Sequence, residues 1–309
     1  MQTVLITGGT GLIGSALCRY LRGAGYRIII LTRRKPAPTA DPGLTYTSWN
    51  PGLDRMDAGV LRGVDYIIHL AGASIMKERW SEKRKNEILE SRVAGTRLLS
   101  EKLRNTPHHV KAFISASATG YYGDRPHELC TEETGKGNGF LSEVCDLWEA
   151  EAWRIARPGI RVVMLRTGIV LNRTEGLLPA LARPLTAGVT AIAGNGSQWI
   201  SWIHLQDIVR IYGAALEDES MRGVFNAVSP FPVTQGRLAT DLARTIRRNF
   251  AVRLHAPPAM IGFLMGQRGL ESLKSCKASA EKLLDTGFEF SYPAVSGALE
   301  ALYGLERDR

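Results

Sequence analysis

Cysteine is scarce: Cys18, Cys130, Cys145 and Cys276 are the four in 309 residues, and they form neither a Cys-x-x-Cys pair nor a Cys/His ligand spacing. A disulfide framework and a zinc site are therefore not expected, no other metal is implied, and a reducing cytoplasm fits best. Long apolar runs are also missing. Every such run is broken by charge, Gly or Pro within about ten residues, short of the ~18 needed to cross a bilayer, so a soluble chain without a membrane partner is expected. The first seven residues lack a charged leader and feed straight into a glycine motif that signal cleavage would destroy, so the N-terminus reads as mature. Internal repeats, heptad arrays and low-complexity segments are absent as well.

What is present begins with charge. Lys and Arg number 39 against 30 Asp and Glu, a formal net charge of +9, which favours an anionic partner such as a phosphorylated cofactor or nucleic acid. The densest basic runs are Arg33-Arg34-Lys35, Lys77 to Lys85 and Arg244 to Arg248. The last two mix with apolar or acidic residues at helical spacing and read as solvated helix faces. No DNA- or RNA-binding motif accompanies them, so specific nucleic-acid binding is not expected.

Periodicity predicts strands at Val4 to Ile6, Arg27 to Leu31, Thr45 to Trp49, Tyr66 to Leu70, Ala112 to Ser115 and Val162 to Leu165, with helices at Leu12 to Leu21, Glu82 to Leu103 and Leu141 to Ala156. This alternation predicts an α/β fold with a doubly wound parallel sheet. After Leu171, Pro179, Pro184, Gly188, Gly194 and Gly196 break the rhythm, predicting loops and short elements around a cleft over about 172–207. Asp207 to Leu216 reads as a helix and Val224 to Val228 as a further strand. Helices at Gln235 to Arg247 and Ser279 to Leu284, a turn at Pro257-Pro258 and a last helix from Pro293 to Tyr303 form a smaller C-terminal lobe. The expected division is 1–230, a Rossmann domain, and 231–309, a small lobe on the substrate side.

Thr7-Gly8-Gly9-Thr10-Gly11-Leu12-Ile13-Gly14 lies between the first strand and the first helix, the context in which a glycine pattern signifies dinucleotide binding. Gly8 permits the tight turn, Gly11 admits the pyrophosphate to the backbone, and Gly14 lets the helix pack on the strand. Thr10, Leu12 and Ile13 complete the turn, where helix N–H groups meet the phosphates. About 20 residues on, where NAD sites carry an acid for the ribose 2′-hydroxyl, stand Thr32-Arg33-Arg34-Lys35. Arg33 or Arg34 can hold a 2′-phosphate that an acid would repel, so the expected cofactor is NADP(H).

His69-Leu70-Ala71-Gly72-Ala73 after a strand, and Ser115-Ala116-Ser117-Ala118-Thr119 followed by Tyr121-Tyr122-Gly123-Asp124, join the glycine turn in a wider pattern. Together they resemble the extended short-chain dehydrogenase/reductase superfamily, of the nucleotide-sugar epimerase type. Gly139 to Cys145, Leu165-Arg166-Thr167-Gly168-Ile169-Val170-Leu171, Trp199 to His204 and Gly287 to Pro293 narrow this to a resemblance to the YfcH-like epimerase-family proteins, which carry their own C-terminal domain. The resemblance implies Leu70, Ala71, Gly72, Ala73 and Ser115 along the cofactor, Ser117 on the substrate oxygen, a small-molecule substrate with nucleotide sugars among the candidates, and a homodimer as one option for assembly.

The superfamily works with a Tyr-x-x-x-Lys pair, in which the Lys lowers the Tyr pKa and the Tyr moves the proton coupled to hydride transfer. No tyrosine in this chain has a lysine four residues on. With Glu149 aligned to the acid that follows the pair, Leu141 and Cys145 fall at the two places; an alignment shifted by two puts Glu143 and Leu147 there. The remaining catalytic candidates are Ser117; Tyr121, with Arg125 as a cation to lower its pKa, or as simple pocket lining; Glu143, as a partly buried acid or as a solvated helix position; and Cys145, as a thiolate or as core packing. Trp199 and Trp202 offer flat surface for a substrate or serve as packing. His204 is carried as a cleft residue and Asp207 as the acid that starts the following helix. The leading expectation is an NADP(H)-dependent oxidoreductase or epimerase-like enzyme with an atypical proton donor. A non-catalytic NADP(H)-binding sensor is the alternative.

Overall fold

The computed structural model describes residues 1–33, 41–247 and 251–304, and the strand at the middle of its sheet is β1 (Thr3–Thr7), buried along its whole length. Four of its five residues are β-branched and none is charged, as suits a strand covered on both faces. β1 pairs in parallel with β2 (Arg27–Thr32) on one side and β5 (Tyr66–His69) on the other. The full order is β13-β8-β6-β5-β1-β2-β3-β4, adding β3 (Leu44–Asn50), β4 (Arg55–Met56), β6 (Ala112–Ala118), β8 (Arg161–Thr167) and β13 (Gly223–Ala227). Only β4 runs antiparallel to its neighbour in this sheet. The doubly wound Rossmann sheet expected from the sequence is the one observed, and its order reverses between β1 and β5, where ligands of such sheets bind.

Strand residues alternate between the two faces. Val4, Ile6, Ile28 and Ile30 meet α1 (Leu12–Gly23) and α5 (Leu205–Glu217) through Leu17, Leu21, Ile208 and Tyr212. Leu5, Ile29 and Leu31 meet α2 (Glu82–Asn105) and α3 (Phe140–Trp153) through Leu98, Leu99, Leu103 and Ala152.

Residues 172–207 do more than loop. They form α4 (Leu177–Leu185), β10 (Val189–Ala193), β11 (Trp199–Ile200) and β12 (Trp202–His204), and they share a second core with α6 (Gln235–Arg247) and α10 (Val295–Tyr303). Pro179 hid α4 from the sequence reading, yet it stands in the first turn, where a missing N–H costs little. Short pairings bind the remaining pieces: β9 (Ile169–Leu171) with β12, β14 (Val233–Thr234) with β11, β15 (Val252–Ala256) with β10, and β16 (Cys276–Ala278) with β7 (Arg125–Cys130). Three short helices complete the C-terminal part: α7 (Pro258–Met265), α8 (Gln267–Glu271), and α9 (Glu281–Leu284), which is shorter than expected. Among the described residues no helix is long and apolar enough to cross a membrane, and no three His, Cys, Asp or Glu side chains are grouped to hold a metal ion.

One buried carboxylate takes a central part in holding the C-terminal segment to the sheet layer, beside the bonds from Arg210 to Glu289 O and from Ser229 to Pro293 O. Asp207, fully buried in the first turn of α5, accepts from the N–H groups of Ser291 (2.8 Å) and Tyr292 (2.9 Å) and from Arg210 Nη1 (3.3 Å). Its work is therefore across elements as well as at the helix start. Asp207→Ala leaves two N–H groups without an acceptor and is expected to cost about 3 kcal/mol in urea unfolding. An unchanged urea midpoint would show that this clamp carries no stability.

Candidate functional site

The turn between β1 and α1 is built by close approach. Gly8 has φ +69°, and a β-carbon there would stand 2.8 Å from the Leu70 carbonyl carbon. A β-carbon on Gly14 would come within 2.2 Å of Gly8 O, so only glycine lets α1 rest on the turn. Gly11 caps α1 without any side-chain hydrogen bond, and no acid stands in the first turn. The helix N–H groups thus face outward with a positive dipole end and no internal anion, beside exposed Thr10 and half-buried Leu12 and Ile13. Arg33 is exposed just past the end of β2, beside the turn. Arg34 lies outside the described residues.

Across the crevice, Thr7 Oγ1 accepts from Leu70 N (3.2 Å) and Ala71 N (3.1 Å) and bonds His69 Nδ1 at 2.7 Å. With its lone pairs engaged, the threonine gives its proton to Nδ1, so the ring proton sits on Nε2, which packs against Gly95 of α2. Burial pushes His69 down to about 3, so the ring is a neutral structural group. The loop continues over Arg92, which donates to Ala73 O (3.2 Å) and Ile88 O (2.9 Å) and lies under Gly72. Ser115, buried opposite His69 on β6, spends its hydroxyl on Ala116 O.

Two residues further along β6 is the most heavily bonded group in the site. Ser117 Oγ donates to Glu149 Oε1 (2.6 Å), and Arg166 holds the same carboxylate with Nε to Oε1 (2.9 Å) and Nη2 to Oε2 (2.8 Å). Burial opposes the Arg166 charge, but the bonds to Glu149 outweigh it and hold the guanidinium above the ordinary arginine pKa. Arg166 Nη1 donates to Tyr122 Oη (3.1 Å), which donates to Asn226 Oδ1 (2.6 Å). Tyr122 is fully buried, and burial pushes its phenol well above the ordinary value. Tyr121 is half-buried, with its ring face 3.5 Å from the Arg166 guanidinium carbon.

This arrangement revises several expectations. Arg125 is paired with Glu128 at 2.7 Å and donates to the Tyr122 carbonyl, so the cation over Tyr121 is Arg166. Glu143 is exposed in the first turn of α3, where an acid suits the helix dipole, so of its two readings the solvated helix position holds and the partly buried acid does not. Cys145 is buried, and burial together with the nearby Glu149 pushes its thiol up to about 12, which suits packing and not a thiolate. Trp202 is fully buried with Nε1 on Phe231 O, a core residue and not a cleft wall. Trp199 is half-buried, with Lys277 4.9 Å above its ring. His204 caps α5, with Nδ1 accepting from Gln206 N, and burial lowers its pKa. Arg166 and the role of Glu149 were missed. The available signal was an arginine directly after the apolar run Val162 to Leu165 of β8, since a buried cation needs a partner.

Residues 4–227 match the NAD dependent epimerase/dehydratase family, and residues 256–302 match DUF1731, a domain of unknown function. An epimerase family protein of Staphylococcus saprophyticus is 36% identical over 304 residues, covering 98% of this chain and 99% of that one. Among solved structures, human epimerase family protein SDR39U1 (isoform 2) with NADPH is 29% identical with a TM-score of 0.88, covering 98% of this chain and 99% of that one. A nucleoside-diphosphate sugar epimerase from Corynebacterium glutamicum is 31% identical with a TM-score of 0.79, covering 98% of this chain and 58% of that one.

His69 gives the fold a signed pH dependence. Its ring titrates near 6.5 when unfolded and near 3 when folded, so across that window the unfolded state binds more protons and stability falls as pH falls. The slope approaches about 1.4 kcal/mol per pH unit. Relative to His69→Gln, the wild-type protein is expected to lose about 2 kcal/mol between pH 6.5 and 4.5 in denaturant titrations. Parallel pH profiles for the two proteins would contradict a neutral buried ring.

Proposed function

The chain belongs to the NAD dependent epimerase/dehydratase family, and from that premise we propose that it is an NADP(H)-dependent oxidoreductase of epimerase-like type acting on a small molecule. The observation that carries the reading is the uncapped, acid-free N-terminus of α1 behind the Gly8-to-Gly14 turn, with Arg33 in place of an acid after β2. These residues fit a dinucleotide with a 2′-phosphate: Gly8, Thr10, Gly11, Leu12, Ile13 and Gly14 at the pyrophosphate, Arg33 and Arg34 at the 2′-phosphate, and Leu70, Ala71, Gly72, Ala73 and Ser115 along the opposite wall. When bound, the nicotinamide gives or takes a hydride. The human relative's complex with NADPH supports the choice of cofactor. The Corynebacterium relative's description keeps nucleotide sugars among the substrates to test.

For the proton, Tyr121 is the candidate that is only half-buried and lies against a fixed positive charge. Ser117 has committed its proton to Glu149, so toward a substrate its oxygen is an acceptor that orients a hydroxyl. Tyr122, Glu143 and Cys145 do not meet these conditions, by burial, exposure and burial respectively. The alternative of a non-catalytic NADP(H) sensor is favoured by one observation, Leu141 and Cys145 where the Tyr and Lys of the family pair would stand.

Titration with NADPH and NADH, followed by a carbonyl screen of the NADPH-loaded protein, separates the readings. Arg33→Glu is expected to weaken NADPH roughly 10- to 100-fold while leaving NADH little changed. Tyr121→Phe is expected to slow nicotinamide oxidation roughly 100-fold without loss of NADPH binding. Tight NADPH binding with no oxidation by any compound would transfer the reading to the sensor.

A further inference from the structure

The segment between β5 and α2 is hooked to the α7–α8 hairpin in both directions. Arg79 Nη2 donates to Phe263 O (2.5 Å), and Arg268 Nη1 donates to Met76 O (2.6 Å). Each guanidinium spends one N–H in this way, and neither has a carboxylate within ion-pair distance among the described residues. Arg268 Nε is buried with no acceptor. A third cation, Lys274, passes against Gly139 at the entry to α3, its Nζ 2.7 Å from the place a β-carbon would take; it is paired with Glu271 at 2.8 Å.

Apolar surface surrounds these cations. Met260, Phe263 and Leu264 occupy one face of α7 at helical spacing, all exposed, Phe263 to 81%, while Ile261 on the other side is buried. Met76 is exposed on the facing segment, and Trp80 packs edge-on against Phe140 with ring centroids 5.0 Å apart. The junction borders the crevice at two points. Its first segment continues from Leu70 to Ala73, and Phe140 precedes Leu141, which packs against Gly120 beside Tyr121.

Guanidinium N–H groups of Arg79 and Arg268 left unspent next to an exposed apolar face form a surface complementary to an amphiphile. We propose that this junction anchors the substrate, which carries an oxyanion, a carboxylate or a phosphate, on an apolar body. The proposal deepens the reading of the crevice as an NADP(H)-dependent active site and rests on it. Arg268 and Arg79 take the oxyanion, and Phe263, Leu264 and Met76 cover the apolar part, leaving the reactive carbon toward Tyr121.

The test is calorimetric titration of the NADPH-loaded protein with four probes that cannot be reduced: octanoate, octyl phosphate, 1-octanol and inorganic phosphate. Octanoate or octyl phosphate is expected to bind roughly tenfold or more tightly than 1-octanol and inorganic phosphate, and the tighter of the two tells carboxylate from phosphate. Arg268→Met is expected to reduce that ligand to the level of 1-octanol with NADPH affinity unchanged. Arg79→Met, at an exposed position, gives the same reading where Arg268→Met fails to fold. Binding of 1-octanol as tight as that of the anions, or full anion binding in both variants, would overturn the proposal. So would a dimer that Phe263→Asp dissolves in light scattering, since the apolar face would then belong to a second copy. Failure of NADPH to bind before any probe is added would instead overturn the cofactor reading beneath it.

Discussion

The ion pair of Glu149 and Arg166 is the constraint on which the rest of the site depends. Its side chains are 7% and 4% exposed, and its bonds are bidentate. Removing either partner of such a pair costs about 3–5 kcal/mol, because a charge is left in a medium that cannot solvate it. Every donor and acceptor around it is therefore held in place. Glu149 fixes Ser117 on β6, and Arg166 reaches Tyr122 and, through it, Asn226 on β13. The same guanidinium lies under the Tyr121 ring. One pair thus joins α3 to three neighbouring strands and sets the positions of the two side chains proposed to meet the substrate.

That arrangement bears on the missing Tyr-x-x-x-Lys. No tyrosine of this chain has a lysine four residues on, and Leu141 and Cys145 on α3, one of the two alignments the sequence allows for the pair, are half-buried and buried and carry no charge at neutral pH. A positive charge beside a phenol is present nonetheless, supplied by a strand and a loop instead of a helix. A guanidinium above a ring is not equivalent to an ammonium beside a hydroxyl, since it acts on the ring face and keeps its donors for Glu149 and Tyr122.

The sheet was legible in the sequence because its central strands are short apolar runs, whereas the two-residue edge strand Arg55–Met56 carries no such signal and was not read. Val4, Leu5 and Ile6 need only burial to be read. The glycine turn was legible for the same reason of local necessity, since the clash at Gly14 is with Gly8 six residues away. What could not be read depends on contacts distant in sequence. Trp202 and His204 look alike as cleft or core until Phe231 and Tyr292 are placed beside them. The Arg166–Glu149 pair spans 17 residues and two elements, and α4, α7 and α8 carry Pro or Gly that the local signal reads as breaks.

The most direct test of the proposed crevice is hydrogen–deuterium exchange with and without NADPH. The expected result is protection of residues 8–14, 33–34, 70–73 and 115–117, with exchange in α6 and α10 unchanged. Protection elsewhere, or none at saturating NADPH, would contradict the assignment of the glycine turn and Arg33 to the cofactor.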